Sequence, residues 1–461
     1  MFSKEVYIRR RAELHSRMKS GLGLFIGNTE SPMNYASNTY HFRQDSDFLY
    51  YFGIDLPGFT GLMDFDSGKD MIFGNDFDMD DIIWMGPQPT VRELAAGYGI
   101  TYTAPMSELE NMISGAQMGK REIHFLPPYR CETKMTLGSL LRENSYGIKT
   151  PASAGLIKAV VSMRSLKDKS ETDEIEKAVD IAYEMHTTAM KMCKEGVKEK
   201  EIFGTIEGIA ISKGAGTSFP IILSVNGQTL HNRIHNNILK KGKMMLTDAG
   251  AETALHYASD ITRTTPVGGK FSTMQKELYE IVLKANIEAI NATRPGVSNR
   301  DIHILACKIL ASGLKDLKLM KGDVEEAVIL GAHTLFMPHG IGHMLGLDVH
   351  DMEALGENNV GYNNKNKKND QFGLAFLKFT LSYVPGNVFT IEPGCYFIPQ
   401  LIESWKAEKK HADFINYDNI GKYMSIGGIR IEDNILITSE SHKLLGKPIP
   451  KTVEEIENIC S

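Results

Sequence analysis

The segment MPHGIGHMLGLDVHDME, residues 337–353, contains three histidines and three glycines. The glycines disfavour a stable helix, so we expect His339, His343 and His350 to project from an extended or turning backbone that approaches another group closely. A single histidine is more often a structural residue than a metal ligand. Three histidines within twelve residues, combined with acidic residues on other segments, favour a metal centre.

Two aspartates flank a short turn in LTDAGAETALHYASDIT, residues 246–262. If residues 253–255 form the tip of a hairpin, Asp248 lies directly opposite Asp260. Like charges directly across a sheet are destabilising, so this pair would need a shared proton or a cation between the carboxylates. The alternative is that one of the two aspartates merely caps a turn.

Two glutamates lie at the end of, or within, apolar strands. Glu392 ends the strand of TIEPG, residues 390–394, and is followed at once by proline and glycine. In GIRIEDNILIT, residues 428–438, a period of two puts Arg430 and Glu432 on one face and isoleucines on the other. A buried carboxylate is costly unless it is paired, so these residues indicate either ordinary salt bridges or metal ligation.

Together, two aspartates, two glutamates and one histidine form a hard, oxygen-rich donor set. This set is typical of a site for Mn²⁺ or a similar divalent ion, and not of a structural zinc site, which is rich in thiolates. Four carboxylates around one divalent ion would leave excess negative charge, whereas two ions would neutralise it and could hold a hydroxide between them. The donor set therefore predicts a dinuclear centre.

The elements that would position these residues fall into two regions. Residues 1 to about 160 mix helix and strand, with GLGLFIGN as a buried strand and a hairpin around residues 66–68, which predicts an α/β domain. A long amphipathic helix follows, with Ser170 as its N-cap and Gly196 as its stop. The change of pattern predicts a domain boundary near residues 155–168.

The second region alternates capped helices with strands. One helix begins with a capping box formed by Ser272 and Gln275, and another extends from near Ser298 to Gly313. The strands around them are rich in β-branched residues and are separated by turn residues. This arrangement predicts an α+β domain with a largely antiparallel sheet.

Composition excludes some classes of function. The 461 residues suffice for two or three domains, and a net charge of −6 spread along the chain disfavours nucleic acid or anionic membrane as a partner. The N-terminus lacks the apolar core of a signal peptide and no window is apolar enough to span a membrane, which predicts a cytoplasmic protein. Five cysteines without a CxxC motif predict reduced thiols rather than a disulfide framework or a zinc ribbon.

The motifs DAG…SDITRT, PHGIGHMLGLDVHD, TIEPG and GIRIEDNILIT occur in this order, after FRQDSDFLYYFGI at residues 42–54. Together they resemble the pita-bread metallopeptidases, in particular the proline-specific branch that contains aminopeptidase P and prolidase. The resemblance covers nearly the whole chain. It implies an α+β pita-bread catalytic domain at residues 161–461, preceded by a smaller α/β aminopeptidase P-like domain at residues 1–160.

The resemblance also implies roles for individual residues. Asp260 and Glu432 would bridge two metal ions, His231 would lie near the substrate, and Arg430 would lie beside the bridging glutamate. The implied metal ligands are Asp248, Asp260, His343, Glu392 and Glu432. The implied catalytic residues are His231, His339, His350, Glu392 and Arg430. In this scheme His343 is the ligand, whereas His339 and His350 shape and protonate the site.

The chain departs from the family pattern in two places. The hairpin aspartates are twelve positions apart, where the family usually has eleven, which affects the predicted hairpin tip more than the ligands. The long segment between His350 and Glu392 resembles prolidase. Where prolidases place an arginine for the carboxylate of the dipeptide, this chain has Lys378, a point charge without the bidentate fork.

These observations predict a metal-dependent Xaa-Pro aminopeptidase that hydrolyses the bond before proline with a hydroxide held by two divalent ions. Mn²⁺ is the favoured metal, with Zn²⁺ or Co²⁺ as alternatives, and the partner is a peptide or dipeptide with proline at its second position. The resemblance further implies a homodimer or homotetramer. Prolidase, which cleaves Xaa-Pro dipeptides, is the alternative, and an inactive binding module on the same fold is a remote one.

Overall fold

A computed structural model describes residues 2–363 and 366–460 of the chain. The chain forms two compact units. The N-terminal unit comprises Met1–Arg164 and Ala354–Asn359, and the C-terminal unit comprises Ser165–Glu353 and Val360–Ser461. None of the described helices combines the length and the apolar character needed to cross a membrane.

The N-terminal unit contains seven helices and seven strands among its described residues. Its helices are α1 (Lys4–Arg17), α2 (Ser46–Phe52), α3 (Met79–Met85), α4 (Val91–Gly97), α5 (Ser107–Met118), α6 (Cys131–Leu141) and α7 (Ala154–Arg164). Its strands are β1 (Leu22–Ile26), β2 (Pro32–Tyr35), β3 (Asn38–Thr39), β4 (Thr60–Asp64), β5 (Lys69–Phe73), β6 (Tyr102–Ala104) and β7 (Ile123–Phe125).

Five of these strands form one mixed sheet in the order β6-β5-β4-β1-β7. The central pairs are antiparallel and the two outer pairs are parallel. The predicted hairpin is confirmed, since Asp64 pairs with Lys69 across its turn. Leu24 and Leu62 of the sheet share a buried core with Leu109 and Ile113 of α5. An α/β N-terminal domain was therefore the correct expectation.

Over its described residues, and counted with the segment at 353–360, the C-terminal unit contains nine α-helices, four 3₁₀ turns and ten short strands. The helices are α8 (Lys169–Met192), α9 (Glu199–Lys213), α10 (Thr273–Ala292), α11 (Asn299–Asp316), α12 (Val324–Ile329), α13 (Glu357–Val360), α14 (Pro399–Ala407), α15 (Tyr417–Ile420) and α16 (Val453–Ile459). The 3₁₀ turns are Ala332–Leu335, Glu353–Leu355, Leu374–Phe376 and Gly421–Ile426. The strands are β8 (Gly216–Thr217), β9 (Ile222–Ser224), β10 (Met244–Ala249), β11 (Ala251–Glu252), β12 (Ile261–Pro266), β13 (Val388–Ile391), β14 (Gly394–Tyr396), β15 (Gly428–Arg430), β16 (Asp433–Ile437) and β17 (His442–Leu444).

The long helix α8 begins two residues earlier than predicted. Its N-cap is Asp168, whose carboxylate accepts from the amides of Ser170 and Glu171 while the Glu171 side chain accepts from the Asp168 amide. Ser170 is therefore already helical, because a carboxylate that accepts two amides and completes a capping box outcompetes a hydroxyl. The helix ends at Met192, before Gly196, whose amide donates to the Leu239 carbonyl at 2.9 Å.

The next two predicted helices are confirmed at their starts. Ser272 and Gln275 form the capping box of α10, and Ser298 caps α11. However, α11 continues past Gly313. A Cβ at this glycine would lie 2.6 Å from Ile281 of α10, so the glycine allows close helix packing and does not end the helix.

The strands of the C-terminal unit pair antiparallel throughout the described residues, as predicted. One sheet has the order β12-β10-β9 and another has the order β13-β16-β17. Two-stranded ladders join β14 to β15 and β11 to β8. Helix α8 packs on β10 and β12 through buried residues such as Ile181 and Met185. The strand ends that carry the predicted site residues lie in these sheets, which fits the expected α+β class.

Candidate metal centre

The hairpin of β10 and β12 carries the two aspartates. Asp248 pairs with Thr262, and Asp260 stands two residues before Thr262 on the returning strand. The aspartates are therefore diagonal neighbours on one face, and the prediction that they lie directly opposite each other is wrong. The turn is longer than predicted. It covers Thr253–Tyr257, is closed by a 3.0 Å hydrogen bond between its first amide and last carbonyl, and holds His256 at φ 64°.

The two glutamates are held by backbone contacts to neighbouring segments. The amide of Glu392, at the end of β13, donates to the Ile341 carbonyl at 2.8 Å. The amide of Glu432 donates to the Thr262 carbonyl at 3.1 Å, and its carboxylate accepts from the Thr262 hydroxyl at 2.7 Å. Glu432 is thereby fixed beside the hairpin that carries the aspartates.

GIRIEDNILIT is not one continuous strand, contrary to the prediction. It forms β15, which ends at Arg430, and β16, which begins at Asp433. The break occurs because β15 pairs with β14, whereas β16 pairs with β13 and β17. The predicted common side of Arg430 and Glu432 nevertheless holds, since both side chains hydrogen-bond to the hydroxyl of Thr262.

His343 is set by a close backbone approach to the strand β13. Its amide donates to the Thr390 hydroxyl at 3.1 Å, and the Thr390 amide donates to the His343 carbonyl at 2.9 Å. A Cβ on the preceding residue, Gly342, would lie 2.0 Å from the Thr390 carbonyl oxygen. Only glycine fits there, which is the close approach that the sequence predicted.

The ring of His343 has the orientation of a metal ligand. Its Nδ1 lies 3.1 Å from the Met344 carbonyl, so this nitrogen carries the proton and donates it. Its Nε2 then presents a lone pair, 3.2 Å from Asp260 Oδ2 and 3.9 Å from Glu392 Oε1. A backbone carbonyl that fixes the tautomer in this way is the common second contact of a ligating histidine.

A cation fits the donor atoms of this cluster. One ligand atom each from Asp260, His343 and Glu432 lies within 4.8 Å of the others, and all three residues are buried. Oδ1 of Asp248 and Oδ1 of Asp260 are buried and have no hydrogen-bond partner. Buried carboxylate oxygens without a partner are costly, and a divalent cation is the group that would satisfy them.

The electrostatics of the cluster also call for positive charge. Burial raises the pKa of Asp260 and of Glu432 well above the usual range, and the negative charges of the neighbouring carboxylates raise both further. Burial likewise raises the pKa of Glu392. Without a cation the ionised forms of these groups are disfavoured. A bound metal would allow all of them to be carboxylates at once.

Arg430 links the aspartate pair to a tyrosine. The guanidinium is 4% exposed and its Nη2 donates to Asp248 Oδ2. Its Nη1 donates to the Tyr396 hydroxyl at 3.0 Å, and its Nε donates to the Thr262 hydroxyl at 3.0 Å. Arg430 thus compensates part of the cluster's negative charge and fixes three groups around the site.

His339 is a neutral, fully engaged side chain. Its Nδ1 donates to the Gly340 carbonyl at 2.7 Å, and its Nε2 accepts from the Tyr396 hydroxyl at 2.9 Å. Burial, together with the charge of Arg430, lowers its pKa to about 4. Both ring nitrogens already have partners within the protein, so this ring is suited to orienting Tyr396 and Arg430.

His350 lies against the ring of His343. The ring stacks on His343 with centroids 3.9 Å apart, and its Nδ1 donates to Glu353 at 2.5 Å. Glu353 also pairs with the ammonium of Lys378. Hydrogen bonding from His350 lowers the pKa of Glu353 to about 2, and the proximity of His343 lowers the pKa of His350. Nε2 of His350 therefore has a lone pair that can accept a proton.

His231 lies at the edge of the cluster. It is exposed and follows β9 in the chain. Partial burial lowers its pKa, and the charges of Asp248, Arg430 and His350 act on it as well. This position suits a residue that meets a substrate more than one that holds a metal.

Sequence reasoning missed three residues of the site. Thr262 stands two positions after Asp260 on the same strand face, and the period of two could have revealed it. Glu353 follows His350 by three positions, the spacing of a local ion pair. Tyr396 required knowledge that β14 pairs with β15, which no local pattern supplies.

The sequence matches metallopeptidase family M24 over residues 173–439 and the N-terminal domain of aminopeptidase P over residues 7–124. A probable Xaa-Pro aminopeptidase of Fusarium vanettenii is 32% identical over 91% of the chain and 88% of its own length. The Xaa-Pro dipeptidase of Homo sapiens is 30% identical over 97% of the chain and 90% of its own length.

Solved structures show the same likeness. Aminopeptidase P from Escherichia coli with the inhibitor Pro-Leu superposes with a TM-score of 0.80 and 29% identity, covering 100% of the chain and 98% of the solved one. Pseudomonas aeruginosa aminopeptidase PepP gives a TM-score of 0.82 with 26% identity and the same coverage. The similarity extends over both units.

Proposed function

Because the chain belongs to metallopeptidase family M24, we propose that it is a metal-dependent Xaa-Pro aminopeptidase that releases the residue ahead of proline. The observation that carries the proposal is the buried cluster around Asp260, His343 and Glu432, with ligand atoms within 4.8 Å of one another. Relatives named as Xaa-Pro aminopeptidases and structures named as aminopeptidase P support the substrate class.

The five residues that would hold the metal are Asp248, Asp260, His343, Glu392 and Glu432. Two divalent ions balance the charge of four carboxylates, and the further positive charge of Arg430, which is paired with Asp248, would favour a hydroxide at the centre. The oxygen-rich set favours Mn²⁺, with Zn²⁺ or Co²⁺ as alternatives. When bound, such ions supply a Lewis acid for the scissile carbonyl and lower the pKa of water from about 15.7 towards about 7.

The chain's own residues would move the proton. His350 is oriented by Glu353 and can accept a proton at Nε2 and pass it on, with Glu392 as the second proton-transfer group. His339 would act by holding Tyr396 and Arg430 in place, since its two nitrogens are already engaged. This division differs from the expectation that His339 and His350 both shape and protonate the site.

The proline requirement follows from the chemistry of the bond. An X–Pro amide has no N–H, and its leaving group is the ring nitrogen, which must gain a proton as the bond breaks. A peptidase that relies on strand-like pairing at the cleaved bond handles it poorly. His231, exposed at the edge of the cluster, is the residue we assign to substrate contact.

The finer organisation is part of the same proposal. We assign residues 1–160 to the aminopeptidase P-like domain and residues 161–461 to the catalytic domain, and the division of the chain after Arg164 supports this. A homodimer or homotetramer and peptide substrates with proline at the second position follow from the resemblance, and the cytoplasmic location remains the prediction made from the sequence pattern.

Prolidase activity is the alternative, and two observations favour keeping it. The human Xaa-Pro dipeptidase matches 97% of the chain. Lys378, the residue that aligns with the dipeptide-carboxylate arginine of prolidases, contacts Glu353 and thereby His350. A cation at this place could meet the C-terminal carboxylate of a dipeptide.

A matched pair of substrates separates the two activities. One is an Xaa-Pro dipeptide, and the other is the same sequence extended by several residues, each assayed with Mn²⁺, with chelator, and with Mn²⁺ restored. Asp260→Asn is the catalytic control, and Asp173→Asn, which removes an exposed carboxylate paired with Lys169, is the matched surface control.

Chelator-sensitive release of the first residue from the longer peptide supports the aminopeptidase. Cleavage of the dipeptide alone assigns the protein to the prolidases. Absence of cleavage of either substrate with Mn²⁺, Zn²⁺ or Co²⁺ contradicts both and favours the binding module.

A further inference from the structure

A second cluster of metal-ligating side chains lies in the C-terminal unit and shares no residue with the first. His303 and Cys307 stand one turn apart on α11, and His333 lies on the 3₁₀ turn Ala332–Leu335. One ligand atom from each lies within 4.8 Å of the others. His303 and Cys307 are fully buried, and His333 is 3% exposed.

The hydrogen bonds of this cluster are incomplete. Cys307 Sγ lies 3.4 Å from His303 Nε2, but His303 Nδ1 and both ring nitrogens of His333 have no partner. The Ala327 carbonyl is near enough to His333 to affect its pKa, although it does not meet hydrogen-bond geometry with either nitrogen. A buried imidazole ordinarily satisfies its N–H group, so the ring of His333, with no partner at either nitrogen, calls for another group.

The donor types indicate which group this is. Two imidazoles and one thiol form a soft-to-borderline N₂S set, which suits Zn²⁺ and does not suit Mg²⁺ or Ca²⁺. In a tetrahedral zinc site with Zn–N and Zn–S bonds of about 2.0 and 2.3 Å, the nitrogen and the sulfur are about 3.5 Å apart. The observed separation of 3.4 Å matches this value.

We propose that His303, Cys307 and His333 bind one Zn²⁺ ion in a site that is separate from the catalytic centre. Three protein donors leave the fourth position to a water molecule. This proposal uses none of the catalytic ligands and does not rest on the proposed function.

The ion would fasten one helix to the segment that enters the active site. The amides of Phe336 and Met337 both donate to the His333 carbonyl, at 3.0 and 3.1 Å. The next residues along the chain lead to His339 and His343. An ion between α11 and His333 would therefore fix the start of this segment relative to the helix.

Cobalt distinguishes the second site from the first. The full chain is produced with Co²⁺ as the only added transition metal, and metal content and the near-ultraviolet spectrum are measured under reducing conditions. A thiolate-to-cobalt charge-transfer band cannot arise from the proposed catalytic ligands, because they contain no sulfur, and the variants show whether it arises from Cys307. Cys307→Ala and His333→Ala are the test variants, and Cys193→Ala, at another fully buried free cysteine, is the matched control.

We expect the band in the wild-type protein and in Cys193→Ala. Both test variants should lose the band and should bind one ion fewer per chain. A wild-type protein without the band overturns the proposal, as does a band that persists in Cys307→Ala. If the test variants do not fold, X-ray absorption on the zinc-loaded wild-type protein decides the question. A Zn–S distance of about 2.3 Å for part of the bound zinc supports the site, and the absence of any such Zn–S distance refutes the proposal.

Discussion

The two clusters of the C-terminal unit are both buried and both contain polar atoms without a hydrogen-bond partner, but they differ in the origin of their instability. Around Asp260 and Glu432 the difficulty is excess charge, since burial and neighbouring carboxylates raise the pKa of both groups. Around His303 and His333 the groups are neutral, and the difficulty is unsatisfied nitrogen atoms. The donors of each cluster therefore favour a different kind of ion. The oxygen ligands of the first cluster favour a hard divalent ion, whereas the nitrogen and sulfur ligands of the second favour a softer one.

This difference has a structural counterpart. The carboxylate cluster is assembled from β10, β12, β13 and the β15–β16 junction, so its donors come from segments distant in sequence. The second cluster needs one helix and one 3₁₀ turn that are close in the chain. The first site depends on the whole sheet arrangement for its geometry, whereas the second depends on how α11 packs against residues 332–335.

The largest effect should come from Asp260→Ala. This change removes a ligand and a buried carboxylate at once, so we expect loss of metal at the catalytic centre and a fall in kcat/KM of at least about 1,000-fold. The thiolate band of the cobalt protein should be unchanged. Activity and metal content of the purified variant provide the measurement. Asp260→Ala with full activity would disprove the ligand assignment.

The pH dependence of stability should have opposite signs for the two clusters in metal-free protein. The folded-state pKa of Asp260 and Glu432 is raised, so the native state retains protons that the unfolded chain releases. The free energy of unfolding therefore falls as pH rises from about 4, the unfolded value, through the raised native values. Asp260→Asn, which keeps the shape without the charge, should reduce this loss.

The imidazole cluster should act in the other direction. Burial lowers the pKa of His303 to about 3 and that of His333 to about 4. Below about pH 6.5 the histidines of the unfolded chain bind protons, whereas those of the native state stay neutral. The contribution of these histidines to the free energy of unfolding is therefore lost as pH falls from about 6.5 towards about 4. His333→Gln should flatten this lower part of the curve.

Thermal unfolding of chelated protein across this pH range tests both contributions. The two windows overlap between about pH 4 and about pH 6.5, so the variants are distinguished by sign, and each should change the slope of the profile in the direction of its own contribution. Changes of the same sign from Asp260→Asn and His333→Gln would show that the clusters do not behave as separate electrostatic units.

The chemistry of the carboxylate cluster could be predicted from the sequence more fully than its geometry could. The types of residue and their segments indicated a hard-donor centre, because carboxylates next to chain-breaking residues in apolar strands are unusual. The register of the hairpin was wrong, since the turn at Thr253–Tyr257 includes a residue with positive φ that no local signal announces. The split of β15 from β16 likewise depends on which strands pair.

The second cluster was missed for a different reason. The absence of CxxC removed the cysteines from consideration as ligands, and the expectation of reduced thiols is consistent with five free cysteines. The informative pattern is HILAC, residues 303–307, which puts a histidine and a cysteine one helical turn apart on one face. The third donor, His333, is brought there by packing of α11 on the 3₁₀ turn, which local pattern cannot supply.

A smaller effect should come from Tyr396→Phe. The hydroxyl joins His339 to Arg430 and touches no proposed metal ligand, so its removal loosens groups that surround the centre. Second contacts of this kind typically cost about 10- to 100-fold in activity or metal affinity. Steady-state kinetics with Mn²⁺ measure the change in activity, and a metal titration measures the change in metal affinity.

Tyr279→Phe is the matched control, since this buried hydroxyl donates to the Lys451 carbonyl in another part of the unit. Its loss should lower stability without changing kcat/KM. Equal kinetic effects of the two substitutions would mean that Tyr396 acts only through the fold.

The smallest effect should come from Lys378→Met, which tests how the active-site rim differs from the buried clusters. The ammonium pairs with Glu353, and both side chains are about one-third exposed, at 31% and 37%. Exposed ion pairs contribute at most about 1 kcal/mol, so kcat should change less than about tenfold. If Lys378 also meets the carboxylate of a dipeptide, KM should rise for Xaa-Pro dipeptides and remain unchanged for longer peptides. Lys443→Met, which removes another exposed lysine paired with Glu176, should change neither value. An equal rise in KM for both substrate lengths would show that Lys378 does not recognise the carboxylate of the dipeptide and acts only by positioning His350 through Glu353.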